Sequence, residues 1–554
     1  MKKTEPSAKC FFALLALVLL VVSLPAQRKE FLNSNNLNAG FFVGGNLFSD
    51  TMLGLNESNF FEVPKGSGKS MIFTQALWMS ARDANDSLHL AASRYFDYGH
   101  DYFDGPIANT YDAVYDWYYK RVFKVTQAQI TTFRNLTFPT SASLVDSAIL
   151  HWPGKGNPSV LADYGVTIAA PLAPFVDVNN NGIYEPLLGD YPGICGVAGV
   201  FFVFNDARAA HGESGGKELG VEIRGLASEF IDSNTSLQYS RRALNNNLFV
   251  QYEVENKSAN NYTDFNLGNW LDVDIGCFNN DFVGCDSLRN LMFGYNGTAN
   301  DPDCAPENGY GTQPVALGVK LLNQPLNGFG YFVGQGATVA AMSDPQTASQ
   351  YNNYLHARWA DSTAFSYENN GYSTGQGLSN YMFAGDPNDA AQWSETSVPD
   401  VPGDRRMFGV SRNSTFNVGE VKHFDYAFFG TLGDSTTTHV KIVDTLKRDG
   451  DIIQAFYDNH LHPCQSQFTT AVHEIAPEQI TASIYPNPAS SQVTIVAIDN
   501  IKSLELMDIQ GRMILTQPVG AKTTTLPVSN LAKGVYLVNI QCTSGAVVKR
   551  IVVE

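Results

Sequence analysis

An oxygen-rich segment in the first half of the chain has the spacing of a calcium-binding loop. Asp177, Asn179 and Asn181 place oxygen-bearing side chains at positions 1, 3 and 5 of this segment, and glycine occupies position 6. Alternating oxygens converge on one hard cation, and the glycine permits the sharp turn that brings them together. The other ligands predicted for this loop are the backbone carbonyl of Ile183 and the carboxylates of Glu185 and Asp190.

The segment differs from an EF-hand at the position that closes the ion site. Leu188 stands at position 12, where an EF-hand has a bidentate glutamate. We therefore predict a looser calcium loop, closed by Glu185 or Asp190. A turn rich in Asn and Asp without an ion is the alternative interpretation.

A second group of carboxylates follows about 90 residues later in the chain. It comprises Asp272, Asp274, Asp281 and Asp286. Carboxylates this close in sequence repel one another unless they are solvated or neutralised by a cation. Calcium is the predicted ligand, and a solvated loop is the alternative.

The same carboxylates could also serve as the acid–base pair of a secreted hydrolase acting on polysaccharide or protein. Alternating Asp residues on one strand do not, however, establish the carboxyl separation that glycoside hydrolysis requires. Ser214, in Gly212-Glu-Ser-Gly-Gly216 beside His211, fits the pattern of a nucleophile elbow. An elbow needs a strand before it and a helix after it, whereas a strand is predicted to follow. We therefore predict a non-enzymatic role and keep the hydrolase as the alternative.

Gly66-Ser-Gly-Lys-Ser70 has some features of a phosphate-binding loop. The first glycine of that pattern would fall on Val63, and a strand rather than a helix follows. We interpret this segment as a turn.

An aromatic and acidic stretch runs from Tyr95 to Tyr119. Aromatic faces combined with carboxylates can bind sugars, so a glycan-binding surface is one interpretation. Packing in a β-sandwich core with polar edges is the other.

The chain is acidic and sparse in charge. Its 554 residues carry a formal net charge of −18, and charged residues make up 16% of the sequence. Without a basic patch, such a chain does not follow phosphate backbones, so no nucleic-acid partner is predicted.

The first 26 residues have the organisation of a signal peptide. Three lysines precede an unbroken apolar run over residues 10–22, and small residues follow before Gln27. The run is shorter than a spanning helix needs, so we favour cleavage over a membrane anchor. Cleavage removes three Lys and one Glu, which takes the net charge to −20, and leaves no transmembrane segment in the mature chain.

Six cysteines remain after cleavage, and export permits disulfides. Cys277, Cys285 and Cys304 are close enough in sequence for at least one local bridge, but the pairing stays open.

The elements that must position these residues are mostly β-strands. Apolar or alternating segments predict strands at 70–79, 88–95, 199–205, 219–223, 248–255 and 262–272. The turn between the last two predicts a hairpin of a β-sandwich. Short helices are predicted over 126–133 and 145–152, and a longer helix over 439–459.

The predicted organisation has five parts. A signal peptide (1–26) precedes a β-rich first part of the body (27–240) and a sandwich-like second part ending in a helix (241–474). A linker (475–482) leads to a small C-terminal β-domain (483–554) of about seven short strands.

The C-terminal domain resembles a known sorting signal. Tyr485-Pro-Asn-Pro488, Gly511-Arg512, Leu531-x-x-Gly534-x-Tyr536 and Lys549-x-x-Val552 are similar to the type A C-terminal sorting domain of the type IX secretion system of Bacteroidetes-type bacteria. The resemblance implies an Ig-like antiparallel sandwich that is read by the outer-membrane translocon. It also implies secretion or attachment at the cell surface.

The body resembles a large secreted family that carries such tails and has no established activity. The similar segments are Glu62–Lys69, Pro174–Asn179, Phe202–Asn205, Asp281–Asp286 and Gly403–Arg406. This resemblance provides no catalytic residues that could be carried over to this chain. The sequence thus predicts a mostly-β, β-sandwich-rich exported protein with a structural, adhesive or binding role, calcium-stabilised loops and a possible glycan or other surface ligand.

Overall fold

The structure is a computed structural model that describes residues 28–50, 60–95, 99–232, 243–334, 337, 339–434, 436–465, 482–508, 513–542 and 546–553. The predicted signal peptide and nearly all of the predicted linker lie outside these residues. The chain divides into two compact units, 1–470 and 471–554, which we call the body and the C-terminal unit.

The fold is mostly β, as predicted. The strands are β1 Lys29–Leu32, β2 Asn38–Phe42, β3 Phe61–Glu62, β4 Ile72–Arg82, β5 Leu88–Ala92, β6 Phe103–Asp104, β7 Phe123–Thr126, β8 Phe175–Val176, β9 Tyr191–Pro192, β10 Ala198–Asn205, β11 Val221–Glu229, β12 Asn247–Asn256, β13 Tyr262–Val273, β14 Asp281–Asp286, β15 Leu291–Asn296, β16 Val315–Leu321, β17 Gly328–Val333, β18 Arg405–Phe416, β19 Val421–Leu432, β20 Ala482–Tyr485, β21 Gln492–Asp508, β22 Met513–Pro527, β23 Gly534–Cys542 and β24 Ala546–Val553.

The helices are short and lie between the strands. They are α1 Ala113–Tyr119, α2 Gln127–Arg134, α3 Ser147–Leu150, α4 Pro158–Tyr164, α5 Ala348–Leu355, α6 Ile442–Phe456 and α7 His462–Gln465. One π-helical turn, Tyr457–Leu461, joins α6 to α7.

Two large antiparallel sheets form the body. The nine-stranded sheet has the order β14-β15-β16-β19-β12-β11-β10-β6, with β7 also pairing with β10. The five-stranded sheet has the order β17-β18-β13-β4-β5. Strands from both sides of the predicted boundary at 240/241 pair within each sheet, for example β4 with β13 and β11 with β12.

The predicted hairpin between β12 and β13 is wrong. β12 pairs with β11 and β19 in the nine-stranded sheet, whereas β13 pairs with β18 and β4 in the five-stranded sheet. The segment 257–261 therefore crosses from one sheet to the other. Two sheets packed face to face lie about 10 Å apart, a distance that five residues easily span.

A second crossing lies beside the first. β18 and β19 follow each other in sequence but belong to different sheets, so residues 417–420 also pass between them. Asn256 joins the two crossings because its side-chain amide donates to the carbonyls of Phe416 (3.0 Å) and Asn260 (2.9 Å).

Both faces of the nine-stranded sheet are covered. Along β10, Phe202 and Phe204 belong to the core shared with the five-stranded sheet, while Phe201 and Val203 pack against the layer of α1–α4. Near the other end of the sheet, helix α6 covers a separate apolar cluster that includes Phe249 and Phe429. Strands buried on two faces are apolar throughout and lack alternation.

Local sequence signals set the helices. Thr126 caps α2 and forms a capping box with Gln129, as predicted. The helix predicted over 439–459 is confirmed as α6, and the helix predicted over 145–152 is shorter, because α3 spans Ser147–Leu150.

Two disulfides close the body. Cys277–Cys304 is the local bridge that the cysteine spacing predicted, and Cys195–Cys464 joins residues 269 positions apart. Cys285, the third cysteine of the local group, is a buried thiol.

The C-terminal unit is a small antiparallel sandwich of five described strands rather than about seven. The difference arises because β21 is long and bent. Its first half pairs with β20 and the end of β22, and its second half pairs with β23 and the start of β22. The buried positions alternate along β23, as expected for strands with one exposed face.

Candidate functional site

Three carboxylates meet at one end of the five-stranded sheet. Asp272, Asp274 and Asp404 each offer an oxygen that lies within 4.8 Å of the others, and we call this group the acidic cluster. The sequence predicted Asp272 and Asp274 as ligands. It missed Asp404, which lies about 130 residues further along the chain.

Strand pairing explains how the cluster forms. Asp272 lies near the end of β13, directly opposite Arg406 at the start of β18. The pairing brings the Gly403–Arg406 segment to the end of β13. Backbone contact reinforces the approach, since the Gly403 amide donates to the carbonyl of Asp281 (3.1 Å).

Arg406 and Tyr95 hold one side of the acidic cluster. The Tyr95 hydroxyl donates to Asp272 Oδ2 (2.7 Å) and accepts from Arg406 Nε (2.9 Å). Arg406 also pairs with Asp272 Oδ1 (3.3 Å) and with Asp404. Three carboxylates and one guanidinium leave two uncompensated negative charges when all four groups are ionised.

The carboxylate of Asp274 stands apart from this hydrogen bonding. It is only 5% exposed, and no donor among the described residues bonds to its oxygens. Asp272 Oδ1 is buried and has the ion pair with Arg406 but no hydrogen bond. Burial raises the pKa of Asp272 to about 6. Burial, together with the charges of Asp272 and Asp404, raises the pKa of Asp274 well above its usual value.

The other two carboxylates predicted for this site have separate partners. Asp281 Oδ2 accepts the Ile275 amide (3.1 Å). Asp286 caps a short turn and pairs with Arg289 (2.9 Å). The structure thus brings Asp272 and Asp274 together and leaves Asp281 and Asp286 outside the cluster.

The loop predicted to bind calcium folds as a tight turn. Gly182 has a φ of +76°, the left-handed conformation that its position was predicted to need. Its amide donates to Asp177 Oδ2 (2.7 Å), and Asn181 Nδ2 donates to Glu185 Oε2 (2.6 Å). Asn179 Nδ2 lies 3.3 Å from the same oxygen of Glu185.

Asp190 anchors this loop to its base. Its two oxygens accept the amides of Val178 and Glu185, both at 2.8 Å, and its side chain is fully buried. The apolar side chain of Ile183 is exposed and has no ligand atom. The ligand predicted from this residue is its backbone carbonyl. The turn therefore gathers the polar side chains of the predicted loop, while calcium binding there stays a prediction.

The arrangement around Ser214 is not that of a serine hydrolase. Ser214 is buried, and its hydroxyl donates to Asp101. His211 directs its ring nitrogens to the carbonyls of Leu90 (2.7 Å) and Asp206 (2.8 Å) rather than to the serine. Strand β11 follows this segment, as predicted. The Gly66–Ser70 segment is likewise a turn before β4.

The aromatic stretch from Tyr95 to Tyr119 is largely core. Tyr102, Tyr115, Tyr118 and Tyr119 are buried, while residues 96–98 lie outside the described part of the chain. Trp117 is the exception, since 46% of this residue is exposed.

No helix in the described part of the chain is long and apolar enough to cross a membrane.

Comparison with known proteins identifies the C-terminal unit. Residues 483–554 match the family described as the secretion system C-terminal sorting domain. These residues are a type IX sorting domain. The protein is therefore a Bacteroidetes-type secreted or outer-membrane-attached surface protein, as the tail motifs predicted, and its sorting domain implies interaction with the secretion system.

Comparisons of the whole chain add little. No curated protein matches it. A polysaccharide lyase shares 8% identity at a TM-score of 0.18, covering 60% of this chain and 34% of the lyase. PorZ, an essential surface component of the type IX secretion system of Porphyromonas gingivalis, shares 13% identity at a TM-score of 0.13, covering 66% and 50%. The chain thus spans about a third and a half of these two proteins, and neither score supports an argument.

Proposed function

We propose that the body is a non-enzymatic binding protein of the cell surface or secreted fraction, stabilised by calcium at the acidic cluster. The observation that carries the proposal is the buried carboxylate of Asp274, which has no hydrogen-bond donor among the described residues. A buried charge without a partner is costly, and calcium prefers carboxylate oxygens.

The charge of the cluster suits a divalent ion. Its two uncompensated negative charges would be balanced by one Ca²⁺, with Asp272, Asp274 and Asp404 as ligands. Arg406 and Tyr95 would then hold Asp272 in place, as outer partners do in metal sites. The ion would act in folding stability and not in a reaction.

A hydrolase at this cluster is less favoured. Asp272 is 4% exposed and Asp274 is 5% exposed. A polymer substrate needs access to both members of an acid–base pair, and these side chains offer almost no surface to it.

The test measures calcium binding and stability together. Terbium replaces calcium in oxygen sites and is excited through nearby aromatic rings, and Tyr95 bonds directly to Asp272. We expect Tb³⁺ luminescence that calcium displaces and that Asp274→Asn and Asp404→Asn abolish. Asp86→Asn is the matched control, because Asp86 is an exposed turn carboxylate outside both predicted calcium sites, and Asp177→Asn is measured beside it to report any ion in the loop at 177–190.

Stability provides the second readout. At calcium concentrations 100-fold above Kd, binding adds about 2.7 kcal/mol to the free energy of unfolding, and a chelator removes it. If neither terbium luminescence nor a chelator effect is observed, protons and not calcium neutralise the cluster. Release of sugars or peptides that stops in Asp272→Asn would overturn the non-enzymatic role.

A further inference from the structure

A groove of about 960 Å³ lies on the helical side of the body, away from the acidic cluster. Its lining comes from β1, α1, β7, α2, α3, α4 and the turn residues beside them. Three aromatic rings, those of Trp117, Phe123 and Tyr164, line it together with charged and amide side chains. This volume is near the upper end for small-molecule sites, so the groove has room for more than one sugar unit.

Trp117 is unusual among the tryptophans of the chain. The other five are at most 5% exposed, whereas Trp117 is 46% exposed and is held against Tyr164 at a centroid distance of 4.9 Å. Exposing an indole to water sacrifices the burial that stabilises the other five. A ring fixed in this way offers a flat apolar surface to a ligand.

Polar groups surround this ring in fixed positions. Arg121 stacks on Tyr164 at 4.8 Å, and its Nη2 donates to the carbonyl of Trp117 (3.1 Å). The Nε of Arg121 is buried and has no hydrogen-bond partner. On the other side, His151 lies between Asp163 (2.7 Å) and the hydroxyl of Ser147 (3.0 Å).

The charges of the groove nearly cancel. Glu30, Asp146 and Asp163 are opposed by Arg121 and Lys124, with His151 beside them. A site for a polyanion would carry a clear excess of positive charge. Alternating donors and acceptors next to an aromatic face instead suit a neutral ligand with many hydroxyls.

We propose that this groove binds a neutral oligosaccharide, with a sugar ring stacked on Trp117 and its hydroxyls bonded to Arg121, Ser147 and Asp163, while His151 holds Ser147 and Asp163 in place. Sugar rings have an apolar face of C–H groups and an edge of hydroxyls, so they match an aromatic ring bordered by polar side chains. The inference rests on the binding role proposed above and adds the ligand class.

The series Ser147–His151–Asp163 does not form a competent esterase site. An acyl-transfer site needs free N–H donors for the oxyanion. The three amides after Ser147 are already engaged, because Ala148 donates to the side chain of Asp146 and Ile149 and Leu150 donate to its carbonyl. Ser147 therefore contributes a hydroxyl to binding and not a nucleophile.

The experiment uses the full chain in native gels cast with a neutral polysaccharide, namely laminarin, xylan or mannan, or with the acidic polymers alginate and polygalacturonate. We expect retardation by at least one neutral polymer and none by the acidic ones. Trp117→Ala should weaken retardation about tenfold or more, equivalent to about 1.4 kcal/mol. Tyr367→Ala is the matched control, since Tyr367 is an aromatic residue outside the groove and is 45% exposed.

Iodide quenching supplies a direct readout of the groove. Because five tryptophans are buried, iodide should quench chiefly Trp117, and the retarding polysaccharide should protect it. The proposal is overturned if no neutral polymer retards the protein, if Trp117→Ala is retarded equally, or if Ser147→Ala abolishes ester release from an acetylated polymer. Terbium binding is read separately, so loss of the calcium proposal would leave these results interpretable.

Discussion

The body and the sorting domain are stabilised by different kinds of buried interaction. The body buries many charged side chains, among them Arg94, Arg224 and Arg405, and is closed by two disulfides. In the sorting domain, every buried residue within the described ranges is hydrophobic. The body therefore depends on the pairing of buried charges, whereas the sorting domain depends on apolar packing.

This difference follows from the number of covered sheet faces. The nine-stranded sheet of the body is covered on both sides, so polar side chains on its strands must find partners inside. Strands of the sorting domain alternate between buried and exposed positions, so their polar side chains reach water. Stability of the body should accordingly respond to charge and pH, and that of the sorting domain should not.

The largest expected effect comes from breaking a buried ion pair in the body. Arg405 is 3% exposed and pairs with the fully buried Glu395 at 2.9 Å. We expect Arg405→Met to lower the free energy of unfolding by about 3–5 kcal/mol, because it leaves an uncompensated buried carboxylate. All six tryptophans precede residue 471, so urea unfolding followed by tryptophan fluorescence reports on the body alone.

The double variant Arg405→Met, Glu395→Gln tests the cause. It should recover part of the loss, since the unpaired charge is gone. If Arg405→Met alone lowers the free energy of unfolding by less than about 1 kcal/mol, buried pairing does not stabilise the body as proposed.

An intermediate effect should appear as a dependence on pH. Asp449 on α6 accepts the Thr431 hydroxyl (2.8 Å), and burial raises its pKa to about 6. The folded state binds this proton more tightly than the unfolded chain, so its ionisation costs stability as pH rises from about 4 to about 6. Asp449→Asn removes that cost and should stabilise the body by about 1–3 kcal/mol at pH 8.

The same variant should give almost no gain at pH 4, where the carboxyl is largely protonated in the folded state. Urea titrations at both pH values, followed by tryptophan fluorescence, measure the difference. Equal gains at pH 4 and pH 8 would assign the effect to packing and not to ionisation.

The smallest effect is expected in the sorting domain. Asn539 Nδ2 donates to Glu505 Oε2 (2.9 Å) across β21 and β23, at a partly exposed position. Glu505→Gln should change stability by less than about 0.5 kcal/mol. Hydrogen exchange of the Gly534–Cys542 peptide measures this change in stability. A loss of stability above about 2 kcal/mol would mean that the sorting domain, like the body, depends on polar pairing.

The sequence predicted local features better than distant ones. The cap at Thr126 and the sharp turn at Gly182 depend on neighbouring residues, and both are present. A local bridge among Cys277, Cys285 and Cys304 was also predicted from their spacing, although the pair that forms it, Cys277–Cys304, was left open. The mostly-β fold followed from strand patterns of the same local kind.

The errors concern pairings that the local pattern does not encode. A polar turn between two strands suits either a hairpin or a crossing between sheets, and β12 is buried on both faces, so its pattern does not distinguish them. Asp404 was missed for a related reason. It reaches Asp272 only because β18 pairs with β13, and nothing near Asp404 in the sequence indicates that strand's partner.

The position of β19 has a consequence for how export is controlled. This strand lies between β16 and β12, and so joins residues 281–321 to residues 198–256 within one sheet. Among the described residues of the body it is also the last strand in chain order, and the sorting domain comes after it. A chain whose synthesis stops before β19 thus lacks both the strand that unites the sheet and the sorting domain. Any copy that carries the sorting domain therefore also carries β19, the strand needed to complete the sheet of the body.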